Sequence, residues 1–145
     1  MNLESLGNQE LWWRRRMRRF SAFVMLGLLF AVLASASLAA GAKATDVTIE
    51  QARKLVRERG GTADFVVLDV RTPTEFAGGH LPGALNVDIQ AREFVTRVGA
   101  LDHSKTYLVY CRSGNRSKKA VEAMERMDFQ SVYHMTEGMI GWEKK

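Results

Sequence analysis

Two short apolar runs restrict this chain more than anything else in it: FVVLDV, Phe65 to Val70, and TYLVYC, Thr106 to Cys111. Each is continuous rather than alternating, rich in β-branched or aromatic residues and set between polar stretches, which is how a strand covered on both faces reads. Such a strand needs helices above and below it, and the flanking sequence supplies them. TIEQARKLVRER places Ile49, Ala52, Leu55 and Val56 at helical spacing, with a capping box at Thr48 and Gln51 and a stop at Gly60-Gly61. From Ser117, SKKAVEAMERM sets Ala120, Val121, Met124 and Met127 on one stripe. Smaller elements fill the gaps: a turn at Thr72-Pro73 before a short helix over Thr74 to Ala77, a strand over Ala84 to Val87, a helix between Ile89 and Val98, a strand over Ser131 to Met135, and one helical turn in GMIGWEKK. Strands alternating with helices predict an α/β domain, a central mainly parallel sheet with helices on both faces.

Charge is unevenly placed. Residues 1–44 carry six basic groups and two acidic ones, whereas the remaining chain holds 15 and 14, so most of the formal charge of +5 belongs to the leader. A nucleic-acid footprint on the folded part is excluded by that balance. The leader has the order of a secretory signal: WWRRRMRR, an apolar stretch of roughly 14 residues from Phe20, then a small-residue tract with cleavage signatures at Ala42-Lys43-Ala44 and Ala40-Gly41-Ala42. Residues 1–44 are therefore expected to be a signal peptide and 45–145 a periplasmic or secreted domain. The 23 residues Phe20 to Ala42 lack any ionisable group and are also long enough for an uncleaved anchor, with Trp12 and Trp13 at the interface. In that alternative the domain still faces outward, and membrane contact is confined to the leader.

The chain has a single cysteine, Cys111, so no intramolecular disulfide can form. Cys111 ends a predicted buried strand, and ligands of parallel α/β sheets bind at the carboxyl ends of strands. The residues that follow, Arg112, Ser113, Gly114, Asn115, Arg116 and Ser117, lead straight into a helix. Gly114 and Asn115 can adopt left-handed conformations, so this loop can aim several backbone N–H groups at one centre and bind an anion there. Thiols at helix N-termini or beside arginine are acidic, and Arg112 and Arg116 add positive charge, which makes Cys111 a candidate thiolate nucleophile. The opposing reading is an inert core thiol, the commoner fate of a free cysteine.

LDVRTPTEFAGGHLPGALNV, Leu68 to Val87, and YCRSGNRS, Tyr110 to Ser117, resemble the rhodanese family of sulfurtransferases, and with Gly138 and Trp142 the resemblance spans residues 46–145. It implies a rhodanese-like three-layer domain whose cysteine takes the outer sulfur of an anionic donor such as thiosulfate, forms a persulfide, and passes the sulfur to cyanide or a thiol acceptor. No cofactor is implied. A membrane-tethered sulfane-sulfur carrier or regulatory binding module with little turnover is the alternative from another class. Cysteine-based phosphatases place five residues between Cys and Arg. Here only four separate Cys111 from Arg116, Ser117 follows, and Tyr110 stands where those enzymes usually have histidine, so phosphatase or arsenate chemistry fits less well.

Supporting roles fall to Asp69 and Arg71, which the resemblance pairs as a structural polar couple near the site, and to Glu75, which can approach the substrate pocket. Read without it, each is a loop ion pair worth ~0 to 1 kcal/mol. His80 is expected to stabilise a turn, His103 and His134 to be surface or strand residues, and Trp142 to pack the C-terminal end. No second ligand lies at metal-binding spacing from any of them, so no metal centre is expected. One departure concerns the pocket wall: Glu137 stands where family members often carry the first of two glycines.

Overall fold

The computed structural model describes residues 43–144. The expected leader lies almost wholly outside them. Among the described residues, no helix is long and apolar enough to cross a membrane.

Five strands form one sheet: β1 (Thr45–Val47), β2 (Phe65–Asp69), β3 (Leu85–Asn86), β4 (Thr106–Tyr110) and β5 (Ser131–Met135). All pairings are parallel, in the order β1-β5-β4-β2-β3. The helices are α1 (Ile49–Arg59), α2 (Pro73–Ala77), α3 (Phe94–Gly99), α4 (Asn115–Glu125) and α5 (Gly138–Glu143). β4 lies at the centre, and all five of its residues are buried, as the uninterrupted apolar run requires.

Alternation along the strands sorts the core into two layers. Leu68 and Val70, Tyr107 and Val109, and Val132 pack with Phe94 and Val98 of α3 and with Ala120, Val121 and Met124 of α4. Their neighbours, Phe65 and Val67, Leu108 and Tyr110, and Met135, pack with Ala52 of α1 and Met139 of α5. Cys111 continues the first set, so its side chain lies on the α3–α4 face. The sheet with helices on both faces is the architecture expected from the alternating pattern.

The elements differ from the sequence reading in several places. β1 was not anticipated, since three residues are too few to show a period. The helix expected from Ile89 begins only at Phe94, because the Asp88 side chain accepts from Gln90 N and its carbonyl from Ala91 N, holding a turn there. The fourth strand stops at Tyr110, so Cys111 is the first residue of the loop rather than the last of the strand. α4 starts at Asn115, two residues earlier than expected. The capping box of Thr48 and Gln51 is present, and a second one joins Thr72 and Glu75 at α2.

Candidate active site

The loop after β4 is shaped by two glycines that admit no substitute. Gly114 caps α4 with φ 88°, and a Cβ there would lie 1.9 Å from the Thr136 carbonyl oxygen. Gly138, at φ 58°, opens α5, and its Cβ would fall 2.5 Å from the Cys111 carbonyl oxygen. That close approach lets the first amides of α5 bind the loop from outside: Met139 N donates to Cys111 O at 2.8 Å and Ile140 N to Arg112 O at 3.0 Å. With its carbonyls turned outward, the loop turns N–H groups inward. The amides of Ser113, Arg116 and Ser117 converge on the Cys111 sulfur, and Ser117 Oγ donates to Sγ at 3.4 Å.

Burial pushes the Cys111 thiol up, but the Ser117 hydroxyl and then the amides of Ser117, Ser113 and Arg116 outweigh it, and the net direction is down from an ordinary thiol. Short-range donors carry most of this, which refines the sequence argument from Arg112 and Arg116. Arg116 turns its guanidinium to Glu75, with Nη1 donating to Oε2 and Nη2 to Oε1, both at 2.7 Å. The pairing holds the Glu75 carboxyl at about 2 and raises Arg116 in turn. Glu75 Oε2 also accepts from the Thr72 amide and hydroxyl at the α2 cap. Glu75 thus ties α2 to the cysteine loop. Asn115 is an ordinary first helical residue rather than a left-handed one, so Gly114 alone makes the turn.

Arg112 and Ser113 are exposed. Arg112 lines a cleft of about 250 Å³ between α2 and α5, together with Arg71, Glu75, Met139, Ile140 and Glu143. Cys111 itself is only 1 % exposed, sunk beneath the loop. Asp69 and Arg71 pair on the opposite face of the sheet. Arg71 Nη2 donates to Asp69 Oδ2 at 2.7 Å and to the Gly79 carbonyl at 2.6 Å, and the Arg71 amide donates to Asp69 Oδ1 at 2.9 Å. The pair is buried, unlike the exposed loop pair considered above, and it fixes the α2 turn that walls the cleft. Tyr110 also points to that face, where its hydroxyl accepts from Leu81 N. His80 Nδ1 contacts the Phe76 carbonyl and the ring stacks on Phe76, a turn role as expected. Trp142 packs against the core, and Arg53 lies over its ring at 4.6 Å. Glu137 keeps an ordinary φ of −86° and does not line the cleft, so the departure there leaves the wall to Met139, Ile140 and Glu143.

One neighbour of the cysteine loop escaped the sequence reading. His134 lies buried behind Ser117, with Nε2 at 3.0 Å from Ser117 Oγ and Nδ1 at 2.8 Å from Asp46 Oδ1. The signal was the phase of SVYHM: His134 is two residues from Val132 and shares its inward face. Its partner Asp46 sits on the unanticipated β1.

A parallel α/β domain with a hydrogen-bonded cysteine in a tight loop at the carboxyl end of its central strand presents Cys111 as a candidate nucleophile. Comparison with known proteins narrows this. The family described as "Rhodanese-like domain" matches residues 48–145, and the chain belongs to the rhodanese family. It is similar to a sulfurtransferase of Allochromatium vinosum, 30 % identical over 83 residues that cover 57 % of this chain and 76 % of that one. A rhodanese-like domain protein of Staphylococcus aureus superimposes with a TM-score of 0.59 at 23 % identity, covering 70 % and 93 % of the two chains. The human single-domain sulfurtransferase TSTD1 gives 0.56 at 20 % identity, covering 72 % and 99 %. Membership and the single candidate cysteine are consistent with sulfur-transfer chemistry in general.

Proposed function

We propose that the chain is a sulfurtransferase that moves sulfane sulfur from thiosulfate, through a Cys111 persulfide, to cyanide or a thiol. One observation carries this reading: the amides of Ser113, Arg116 and Ser117 and the Ser117 hydroxyl are aimed at the Cys111 sulfur, where they favour negative charge. The thiolate attacks the outer sulfur of thiosulfate, a new S–S bond forms, and the old one breaks with its electron pair leaving on sulfite. The terminal persulfide sulfur keeps the negative charge within reach of the same donors, which stabilises the intermediate. Cyanide then attacks that outer sulfur and leaves as thiocyanate, and the Cys111 thiolate returns. No resolving cysteine is called for, in keeping with the single cysteine. Phosphoryl chemistry is disfavoured because both terminal nitrogens of Arg116 are engaged by Glu75 rather than free to clamp a phosphate.

Incubation with thiosulfate followed by intact mass is expected to add about 32 Da, one sulfur atom. Cyanide should remove it, and Cys111→Ala should never acquire it. An unmodified Cys111 after that incubation overturns the proposal. The burial of Cys111 favours a second reading, a sulfane-sulfur carrier with little turnover. A persulfide that forms but resists cyanide would select it. We further propose export of the domain through the residue 1–44 leader, either cleaved or retained as an anchor. N-terminal sequencing of a fractionated preparation tests this, since a chain beginning near Thr45 in the soluble fraction removes the tether and an intact chain in the cytosol refutes export.

A further inference from the structure

One of the buried titratable groups that the sulfur-transfer steps leave unused touches the cysteine loop. His134 is 6 % exposed, and β-strand register sets it between Asp46 of β1 and Val109 of β4. Its ring faces acceptors at both nitrogens. Nδ1 meets the Asp46 carboxylate at 2.8 Å, and Nε2 meets the Gly114 carbonyl at 3.2 Å as well as Ser117 Oγ at 3.0 Å. Carboxylates and carbonyls only accept, so these contacts ask for a proton on each nitrogen. Ser117 has a single hydroxyl proton and three claimants for it: Cys111 Sγ at 3.4 Å, Gly114 O at 2.9 Å and, when Nε2 is bare, His134 at 3.0 Å.

The ring's state decides between them. With a proton on Nε2, the ring donates to Ser117 Oγ and to Gly114 O, occupying that carbonyl and freeing the hydroxyl proton to turn to the sulfur. With Nε2 bare, that nitrogen takes the hydroxyl proton and the sulfur loses its one side-chain donor. We propose that His134, held by Asp46, is a positioning residue that aims the Ser117 hydroxyl at Cys111. The charged or titratable groups facing the ring are Asp46 from β1 and Cys111 from the end of β4. From α4 it meets Ser117, while neighbouring Arg116 is held by Glu75, and its own strand carries no other charge.

The proposal rests on Cys111 being the nucleophile and is independent of the sulfur donor. Its test is the pH titration of the Cys111 thiolate in the full chain, followed by ultraviolet absorbance and by iodoacetamide alkylation. His134→Gln places an amide N–H₂ where Nε2 stood, so it should keep the thiolate fraction near the wild-type value. His134→Asn reaches Asp46 but not Ser117, and should lower that fraction below the titration midpoint by about tenfold. In a Ser117→Ala background the same histidine change should have no further effect. Equal titrations for the Gln and Asn variants, or additive effects of the His134 and Ser117 changes, overturn the proposal. Should His134→Asn fail to fold, Asp46→Asn removes the same hold from a carboxylate that is 76 % exposed, and a wild-type titration there is equally fatal. Wild-type protein that titrates as described yet gains no mass from thiosulfate would sink the functional reading alone.

Discussion

Glu75 offers the most quantitative check on how the site is held together. Its carboxyl falls from 4.5 to about 2, chiefly through the bidentate bond from Arg116. At ~1.4 kcal/mol per pKa unit, that difference is ~3 kcal/mol of stability at neutral pH. The two side chains keep 29 % and 25 % of their exposure, which screens the interaction and brings the expectation to about 2 kcal/mol. Because the folded value lies below the unfolded one, the contribution is complete above about pH 4.5 and drains away as pH drops towards about 2. Glu75→Gln keeps the size of the side chain and one carbonyl acceptor while removing the charge. Urea unfolding of both proteins should show a loss of about 2 kcal/mol at neutral pH that shrinks steadily through this acid window. A difference that stays constant with pH, or that never exceeds about 0.5 kcal/mol at neutrality, would refute the assignment of the Glu75 shift to Arg116.

Two further outcomes follow from the backbone and the buried pair. Gly114→Ala drives a methyl into the Thr136 carbonyl at a left-handed φ and should cost upwards of about 2 kcal/mol, against about 1 kcal/mol for Gly61→Ala, where φ is 84° but the space is open; equal denaturation midpoints for the two variants would contradict the close approach. Arg71→Met leaves Asp69 charged and buried without its partner, so thermal unfolding should report a loss of about 3–5 kcal/mol, partly recovered by adding Asp69→Asn.

The strands most deeply covered were the most legible in the sequence. FVVLD and TYLVY announce themselves because burial on both faces leaves no polar position to blur the run. The position of Cys111 and its loop followed from the same logic, since the carboxyl ends of strands in a parallel sheet are where ligands bind. What stayed hidden depends on contacts between distant segments. Nothing near Glu75 reveals that its partner lies 41 residues away, and without that pair Arg116 reads as a free cation beside the sulfur. Asp46 could not be joined to His134 before β1 was known to exist, because three residues carry no period and their register against β5 is a property of the folded sheet. The late start of α3 is more local: Asp88 offers the backbone a turn that competes with the helix its neighbours would otherwise continue.

The cysteine loop is completed by amides that come from α5, more than two dozen residues downstream of the sulfur. During synthesis, therefore, a nascent chain can pair most of its sheet before the two amides that hold the carbonyls of Cys111 and Arg112 exist. The loop's final shape arrives with the last helix, as a by-product of docking. On the proposed sulfurtransferase reading, a chain whose C-terminal segment is clipped or displaced would lose sulfur transfer before most of its secondary structure, so activity would gauge that docking more sensitively than any spectrum of the backbone.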